Sequence, residues 1–319
     1  MKQFSNFVFF GSNEFSVIVL EKLCQANLIP SLVITLPDKP ADRKKIPTPP
    51  PLKLTADNLQ LTTLQPESLK NNPELIKTIA ELKPEFGIVA AYGKIIPKSV
   101  LDLFPKGVLN LHPSLLPKYR GPSPIQTAIL NGDKKTGVSI ILLDEEMDHG
   151  PILAQEQAFI SSDEYFTDPS KNLALQGAEA LKKAVPLWLE DKISPKPQKH
   201  SQASYTKLFT WQDGKIEPNK PIKQVYNQIR ALSEEPGTWL SWQMANGKWL
   251  IVKIIKAKII SNSQFLISKT IPKTGLAQFN KDLILVCKEG ALLLEHVQPE
   301  GKRIMTGKEF LNGYGKYLR

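Results

Sequence analysis

The sequence predicts an α/β protein: a Rossmann-like, doubly wound, mostly parallel sheet in the N-terminal half, followed by a small OB-like β-barrel. Three observations carry this expectation. Short apolar runs at Phe7–Phe10, Leu32–Leu36, Phe86–Ala91 and Gly107–Leu111 alternate with stretches of helical period, the pattern of parallel strands covered by helices on both faces. Beyond Leu232 the period changes to five short β-branched runs, at 238–244, 248–260, 265–270, 283–287 and 291–297, which suits a small barrel. Between the two patterns, residues 191–208 hold Ser194-Pro195-Lys196-Pro197-Gln198 and show no periodicity, as a linker does. A chain of 319 residues is long enough for two domains, expected at 1–190 and 209–319.

Taken in order, the first strand ends at Gly11. Ser12 or Asn13 can then cap a helix over Glu14–Asn27 that turns Phe15, Val19, Leu20 and Leu23 to one side. Gly11 stands without the second and third glycines of a dinucleotide fingerprint, so no nicotinamide cofactor is expected. Pro37–Pro51 contains six prolines around Arg43-Lys44-Lys45, a stiff basic loop that cannot join the sheet. Such a loop is either an ordinary exposed connection or a reach toward an RNA phosphate backbone. Helices are expected at Leu52–Leu59, Pro73–Leu82, Pro97–Phe104 and Pro122–Leu130, three of them opened by proline. Gly150–Ile160 offers an edge strand. Lys171–Glu190 is a helix interrupted only by Pro186, and Asn219–Leu232 is an amphipathic helix with Ile222, Val225, Tyr226 and Ile229 on one face.

Composition narrows the class of protein. No apolar run approaches the ~18 residues of a membrane span, and the N-terminus lacks the h-region of a signal peptide, so a cytoplasmic protein is expected. Cys24 and Cys287 lie far apart in apolar surroundings and read as reduced thiols, with no metal site. The net charge of +10 is uneven. Residues 1–189 hold 20 Lys and Arg against 20 Asp and Glu, whereas 210–319 hold 17 against 9 and also contain Trp211, Trp239, Trp242 and Trp249. A neutral front and a basic, aromatic back suit a catalytic domain joined to one that meets a polyanion, or else a plain solvated surface with Trp in its core.

Residues 108–150 concentrate the chemistry. On a strand, Asn110 and His112 project to the same side, and Pro113 ends the strand just beyond them. Val138–Leu143 is another strand, followed by an acidic turn with Asp148. If the two strands are neighbours, Asp148 comes within reach of His112. His149 beside it is expected to face solvent. An amide, an imidazole and a carboxylate suit acyl transfer to an amine: Asn110 and His112 donate to the negative oxygen of a tetrahedral intermediate, while Asp148 orients His112 and accepts a proton through a water. Neither Gly-x-Ser-x-Gly nor a nearby cysteine is present, in keeping with direct attack by the amine.

Asn110-x-His112, the run Ser114-Leu115-Leu116-Pro117-Lys118-Tyr119-Arg120-Gly121, Met147-Asp148-His149-Gly150, Ala91-Tyr92-Gly93-Lys94-Ile95-Ile96-Pro97 and Pro37-Asp38-Lys39-Pro40 together resemble the folate-dependent formyltransferases over nearly the whole chain. The resemblance implies 10-formyltetrahydrofolate as co-substrate, no metal, and Asn110, His112 and Asp148 as the catalytic set. It also implies that Ser114, Leu115, Leu116 and Pro117 line the folate pocket, that Arg120 anchors their loop, and that Arg43 contacts initiator tRNA. Lys44, Lys45 and Lys207 are further candidate nucleic-acid contacts. The same catalytic set serves enzymes whose acceptor is methionine on tRNA, glycinamide ribonucleotide or an amino-sugar nucleotide. The basic barrel favours initiator methionyl-tRNA, because a small acceptor gives no reason for such a domain. A monomer away from membranes is expected. A non-catalytic RNA- or folate-binding protein is the reading from another class, and the intact Asn110/His112/Asp148 set argues against it.

Overall fold

The computed structural model describes residues 6–41, 46–260 and 274–318. In chain order the elements of the first half are β1 (Phe7–Gly11), α1 (Glu14–Gln25), β2 (Leu32–Ile34), β3 (Lys39–Ala41), β4 (Ile46–Thr48), α2 (Pro51–Asn58), β5 (Thr63–Leu64), α3 (Pro73–Leu82), β6 (Phe86–Ala90), α4 (Lys98–Leu101), β7 (Val108–His112), α5 (Pro124–Asn131), β8 (Lys135–Leu142), β9 (Ile152–Phe159) and α6 (Thr167–Leu189). The second half has α7 (Ile222–Leu232), β10 (Thr238–Gln243), β11 (Trp249–Ile260), β12 (Gly275–Phe279), β13 (Asp282–Cys287), β14 (Gly290–Pro299), β15 (Met305–Thr306) and α8 (Gly307–Tyr314). The chain forms two compact units. One comprises Met1–Pro124, Lys135–Phe159 and Asp168–Thr206; the other comprises Ile125–Lys134, Ile160–Thr167 and Lys207–Arg319.

The first unit is built on a seven-stranded sheet in the order β5-β2-β1-β6-β7-β8-β9. Strands β5 to β7 run parallel, while β8 is antiparallel to β7 and β9 antiparallel to β8. The central strands β1 and β6 are buried at every position, as apolar runs without alternation require. Asn13 caps α1 by accepting from Ser16 N–H, and Asn72 caps α3 by accepting from Leu75 N–H at 3.0 Å. Val8, Phe10, Ile34, Val89, Ile79, Val100 and Phe104 form one core. In α6, a Cβ on Gly177 would lie 2.5 Å from a Leu111 methyl, so the bare glycine lets the helix approach β7 closely.

Pro37–Pro51 stays out of the main sheet as expected, though β3 and β4 pair as a separate two-stranded ribbon with Pro40 opposite Pro47. The prolines keep it out of the main sheet but do not prevent local pairing. The helix expected over Pro97–Phe104 shrinks to α4, after which tighter turns, Leu103 N–H to the Val100 carbonyl and Phe104 N–H to the Leu101 carbonyl, carry the chain to Pro105.

The second unit holds an antiparallel sheet in the order β10-β11-β14-β13-β12, with β15 paired to β14. Among the described residues the strands form a curled, antiparallel half-barrel, in keeping with the expected OB-like domain. Register shifts within Ile254–Ala257 bend the 12-residue β11. Val225 and Ile229 of α7 and Phe310 of α8 pack with Val252, Leu283, Leu292 and Leu294. The strand expected at 265–270 lies outside the described residues. Trp239 and Trp242 are buried, whereas Trp249 is 66% exposed. Among the described residues no helix is long and apolar enough to cross a membrane.

Candidate active site

The site grows from the carboxyl end of β7. Asn110 and His112 leave the same face of that strand, and β8 lies beside it with Ser139 opposite His112. Because β8 runs antiparallel, it ends beside Leu109, with Leu143 N–H donating to the Val108 carbonyl, and the following loop folds back to bring Asp148 against Asn110. Asp148 stands in the left-handed region at φ 49°, a conformation that Asp tolerates better than most residues.

Asp148 is held at both oxygens. Asn110 Nδ2–H donates to Oδ1 at 3.1 Å, and Gly121 N–H donates to Oδ2 at 2.7 Å. Gly121 has φ +106°, and a Cβ there would lie 2.8 Å from Thr206 Oγ1, so glycine is required for this backbone donor. His112 Nδ1 lies 3.5 Å from Asp148 Oδ2. The other nitrogen, Nε2, is 2.9 Å from the Tyr119 carbonyl. A carbonyl only accepts, so Nε2 carries a proton and Nδ1 is the nitrogen turned to the carboxylate. Nδ1 then donates only when the ring is doubly protonated. The His112 and Asp148 side chains are 5% and 12% exposed, so their interaction is little screened.

A cavity of about 400 Å³ opens in front of this group. Asn110, His112 and Asp148 form part of its wall, with Asn13, Val89, residues 91–96, Gly121 and residues 143–147. Its size falls in the range of small-molecule sites. Ile95 and Met147 are exposed, while Tyr92 is buried. Burial pushes the Tyr92 phenol up to about 12, so it stays neutral, and its hydroxyl has no hydrogen-bond partner among the described residues. Among those residues no group of three or more His, Cys, Asp or Glu is placed to hold a metal ion.

Ser114, Leu115, Leu116 and Pro117, expected to line a ligand pocket, are absent from the wall of this cavity. They are tied to β8 and β9 instead. Ser139 Oγ–H donates to the Ser114 carbonyl at 2.6 Å and accepts from Leu116 N–H, and Gln155 Nε2–H donates to the Leu116 carbonyl at 3.0 Å. A strand-to-helix loop this close to the site satisfies its own backbone first. The wall residues missed from the sequence are Asn13, Tyr92, Gly121 and the acidic turn. Ala91–Ile96 was a recognisable motif without an assigned role.

Of residues 191–208, expected as a linker, those up to Thr206 belong to the first unit and make specific bonds within it. Ile152 and Lys196 pair, Arg120 N–H donates to the Ser204 carbonyl at 2.8 Å, and Thr206 N–H donates to the Arg120 carbonyl at 2.7 Å. Gln198 is buried, and its amide donates to the carbonyls of Asp148 and Gly150 at 2.8 and 2.7 Å. Arg120, 2% exposed, donates to Gln198 Oε1, to Tyr205 Oη and to His200 Nδ1. His149, expected in solvent, instead lies 2.7 Å from Asp144 through Nδ1 and stacks on His200 at 4.1 Å.

Arg43, Lys44 and Lys45 lie outside the described residues. Lys207 belongs to the second unit, where it pairs with Asp213. That pairing first, and the Thr210 N–H second, hold the Asp213 carboxyl down to about 2.

Residues 5–185 match the family described as formyl transferase, and residues 209–315 match the formyl transferase C-terminal domain. The chain is 42% identical over 309 residues to a methionyl-tRNA formyltransferase of Dictyoglomus thermophilum, covering 96% of each chain. It is 38% identical over 307 residues to that of Roseiflexus castenholzii, covering 96% of this chain and 95% of the relative. Among solved structures, HypX from Aquifex aeolicus in complex with tetrahydrofolic acid aligns with a TM-score of 0.66 at 17% identity, over 98% of this chain and 48% of that one. An N-formyltransferase from Helicobacter canadensis in complex with folinic acid and dTDP-3-aminofucose aligns with a TM-score of 0.63 at 22% identity, over 91% and 98%. These two likenesses are of fold. The sequence relationships reach further: this chain belongs to the methionyl-tRNA formyltransferase family of formyl-transferring enzymes.

Proposed function

We propose that the protein transfers the formyl group of 10-formyltetrahydrofolate to the free amine of methionine on initiator methionyl-tRNA. The observation that carries this reading is the carboxylate of Asp148, held on both oxygens beside His112 in the wall of a cavity of about 400 Å³. The cavity fits the co-substrate in kind. Val89, Tyr92, Ile96 and Leu143 offer apolar contact to a flat ring, and Asn110, His112 and Asp148 offer polar contacts. Tyr92 Oη is a buried polar atom in need of a partner. The co-substrate supplies an activated one-carbon acyl group.

The residues divide the work. Asn110 commits one amide hydrogen to Asp148 and keeps the second for the formyl oxygen as negative charge develops there. His112 Nδ1 is the ring atom aimed at the site, and in its protonated form it donates to the same oxygen. Asp148, fixed by Gly121, takes the proton that the amine loses, through a water. The amine attacks directly, with no acyl-enzyme; as the intermediate collapses, the bond from the formyl carbon to the folate N10 breaks and that nitrogen takes up a proton, giving tetrahydrofolate and the formylated amine.

For the acceptor, support comes from the excess of 17 Lys and Arg over 9 Asp and Glu in residues 210–319. Such an excess suits phosphate contacts. We assign Arg43, Lys44, Lys45 and Lys207 to the tRNA backbone. Lys207 shares its charge with Asp213, so tRNA would compete for it. The test is incubation with labelled formyl-folate and charged initiator tRNA. Formylmethionyl-tRNA is the expected product; label appearing only in a sugar nucleotide or in glycinamide ribonucleotide would overturn the assignment. Arg43→Ala is expected to raise the KM for tRNA about 10-fold while leaving folate affinity unchanged, since a lost phosphate contact of roughly 1.4 kcal/mol has that effect.

A further inference from the structure

We propose that Gln198 is a positioning residue for formyl transfer, acting with Arg120 to set the attitude of Asp148. The inference rests on the role given to Asp148 above. The geometry forms a closed circuit. The Asp148 carboxylate accepts from Gly121 N–H. Arg120 precedes Gly121 and donates through Nε and Nη2 to Gln198 Oε1 at 3.2 and 2.8 Å. Gln198 Nε2 returns to the Asp148 carbonyl at 2.8 Å and takes the Gly150 carbonyl as well, at 2.7 Å. The side chain and the main chain of Asp148 are thus fixed through one pair of buried residues.

The orientation of the Gln198 amide follows from chemistry. Two carbonyls can only accept and a guanidinium can only donate, so the nitrogen must face residues 148 and 150 and the oxygen must face Arg120. Every hydrogen-bonding capacity of the amide is used. Arg120 is a buried cation whose partners Gln198, Tyr205 and His200 are all neutral, an arrangement less favourable than a carboxylate pair. A glutamate at position 198 would pair the charge better but would turn an oxygen against the two carbonyls. Glutamine is the residue that satisfies Arg120 and still donates to the Asp148 loop. That loop needs holding, because Asp148 has φ 49°.

Gln198→Met removes the donors at similar volume, and Gln198→Glu keeps a partner for Arg120 while losing the donors. Both full-length variants are assayed with 10-formyltetrahydrofolate and charged initiator tRNA, alone and combined with Asp148→Asn. Either variant is expected to lower kcat by about 10- to 100-fold, the scale of a misplaced catalytic group, with the KM of both substrates within about threefold. In the Asp148→Asn background the same change is expected to alter kcat by less than about twofold, because residues acting through one another are not additive. Unchanged kcat in both Gln198 variants overturns the proposal, as does an equal fall in both backgrounds, which marks a general structural effect. Should one variant fail to fold, the other carries the test. Full activity of Asp148→Asn alone would instead sink the catalytic reading of Asp148 itself.

Discussion

At the scale of single residues, the Tyr119 carbonyl matters as much as any side chain in the site. By taking the Nε2 proton it decides which nitrogen of His112 looks at Asp148. Two partners hold the carboxylate, and both reach the cavity wall: Asn110 through its side-chain amide and Gly121 through its backbone N–H. Asp148→Asn is expected to reduce turnover by about 10²–10⁴-fold, the usual worth of general acid–base catalysis, with the thermal midpoint nearly unchanged. Near-normal single-turnover rates would rule out that role. Asn110→Ala removes a donor from the developing oxyanion and is expected to lower kcat by roughly 10²–10³-fold, measured at saturating concentrations of both substrates. The pairing of Asn110 with His112 is legible in the sequence, because alternation along one strand puts both on one face. The partnership of Arg120 with Gln198 is not: nothing in local pattern brings together residues 78 apart.

At the scale of elements, α6 and β7 depend on a missing side chain. Gly177→Val is expected to destabilise the protein by roughly 1–3 kcal/mol through overpacking against Leu111, read from urea midpoints; an unchanged midpoint would show that the helix can shift. In the second unit, the short turn over residues 211–214 is capped by Thr210 and Asp213. The folded-state value of Asp213 lies below the ordinary 3.8, at about 2. Its contribution is therefore complete above about pH 4 and disappears as the pH falls through 2. Asp213→Asn is expected to flatten that part of the acid denaturation curve, and an identical curve for the variant would contradict it. The parallel strands were readable from unbroken apolar runs. The β3–β4 ribbon was not, since proline argues against pairing in general and not against two edges meeting alone. The expected last turn of α4 is present as tighter i→i+3 bonds, a distinction that apolar periodicity does not carry.

At the scale of the whole molecule, charge is divided as chemistry is. The second half carries the surplus of cations, with Lys253 over the ring of Trp211 and Trp249 exposed. The logarithm of kcat/KM for tRNA is expected to fall linearly with the logarithm of salt concentration, while the KM for the folate stays nearly flat. A flat tRNA response would remove the electrostatic argument for that acceptor. The strand-rich character of this half was evident from its β-branched runs, but the strand order was not. Composition does not record which strands meet.

Residues 191–206 bear on how the gene can be dissected. A stop codon placed after residue 190, where the composition changes, would strip Arg120 of Gln198, His200 and Tyr205 and strand its guanidinium. Stopping after Thr206 keeps those bonds. The first unit ends some sixteen residues later than the amino-acid pattern invites one to cut.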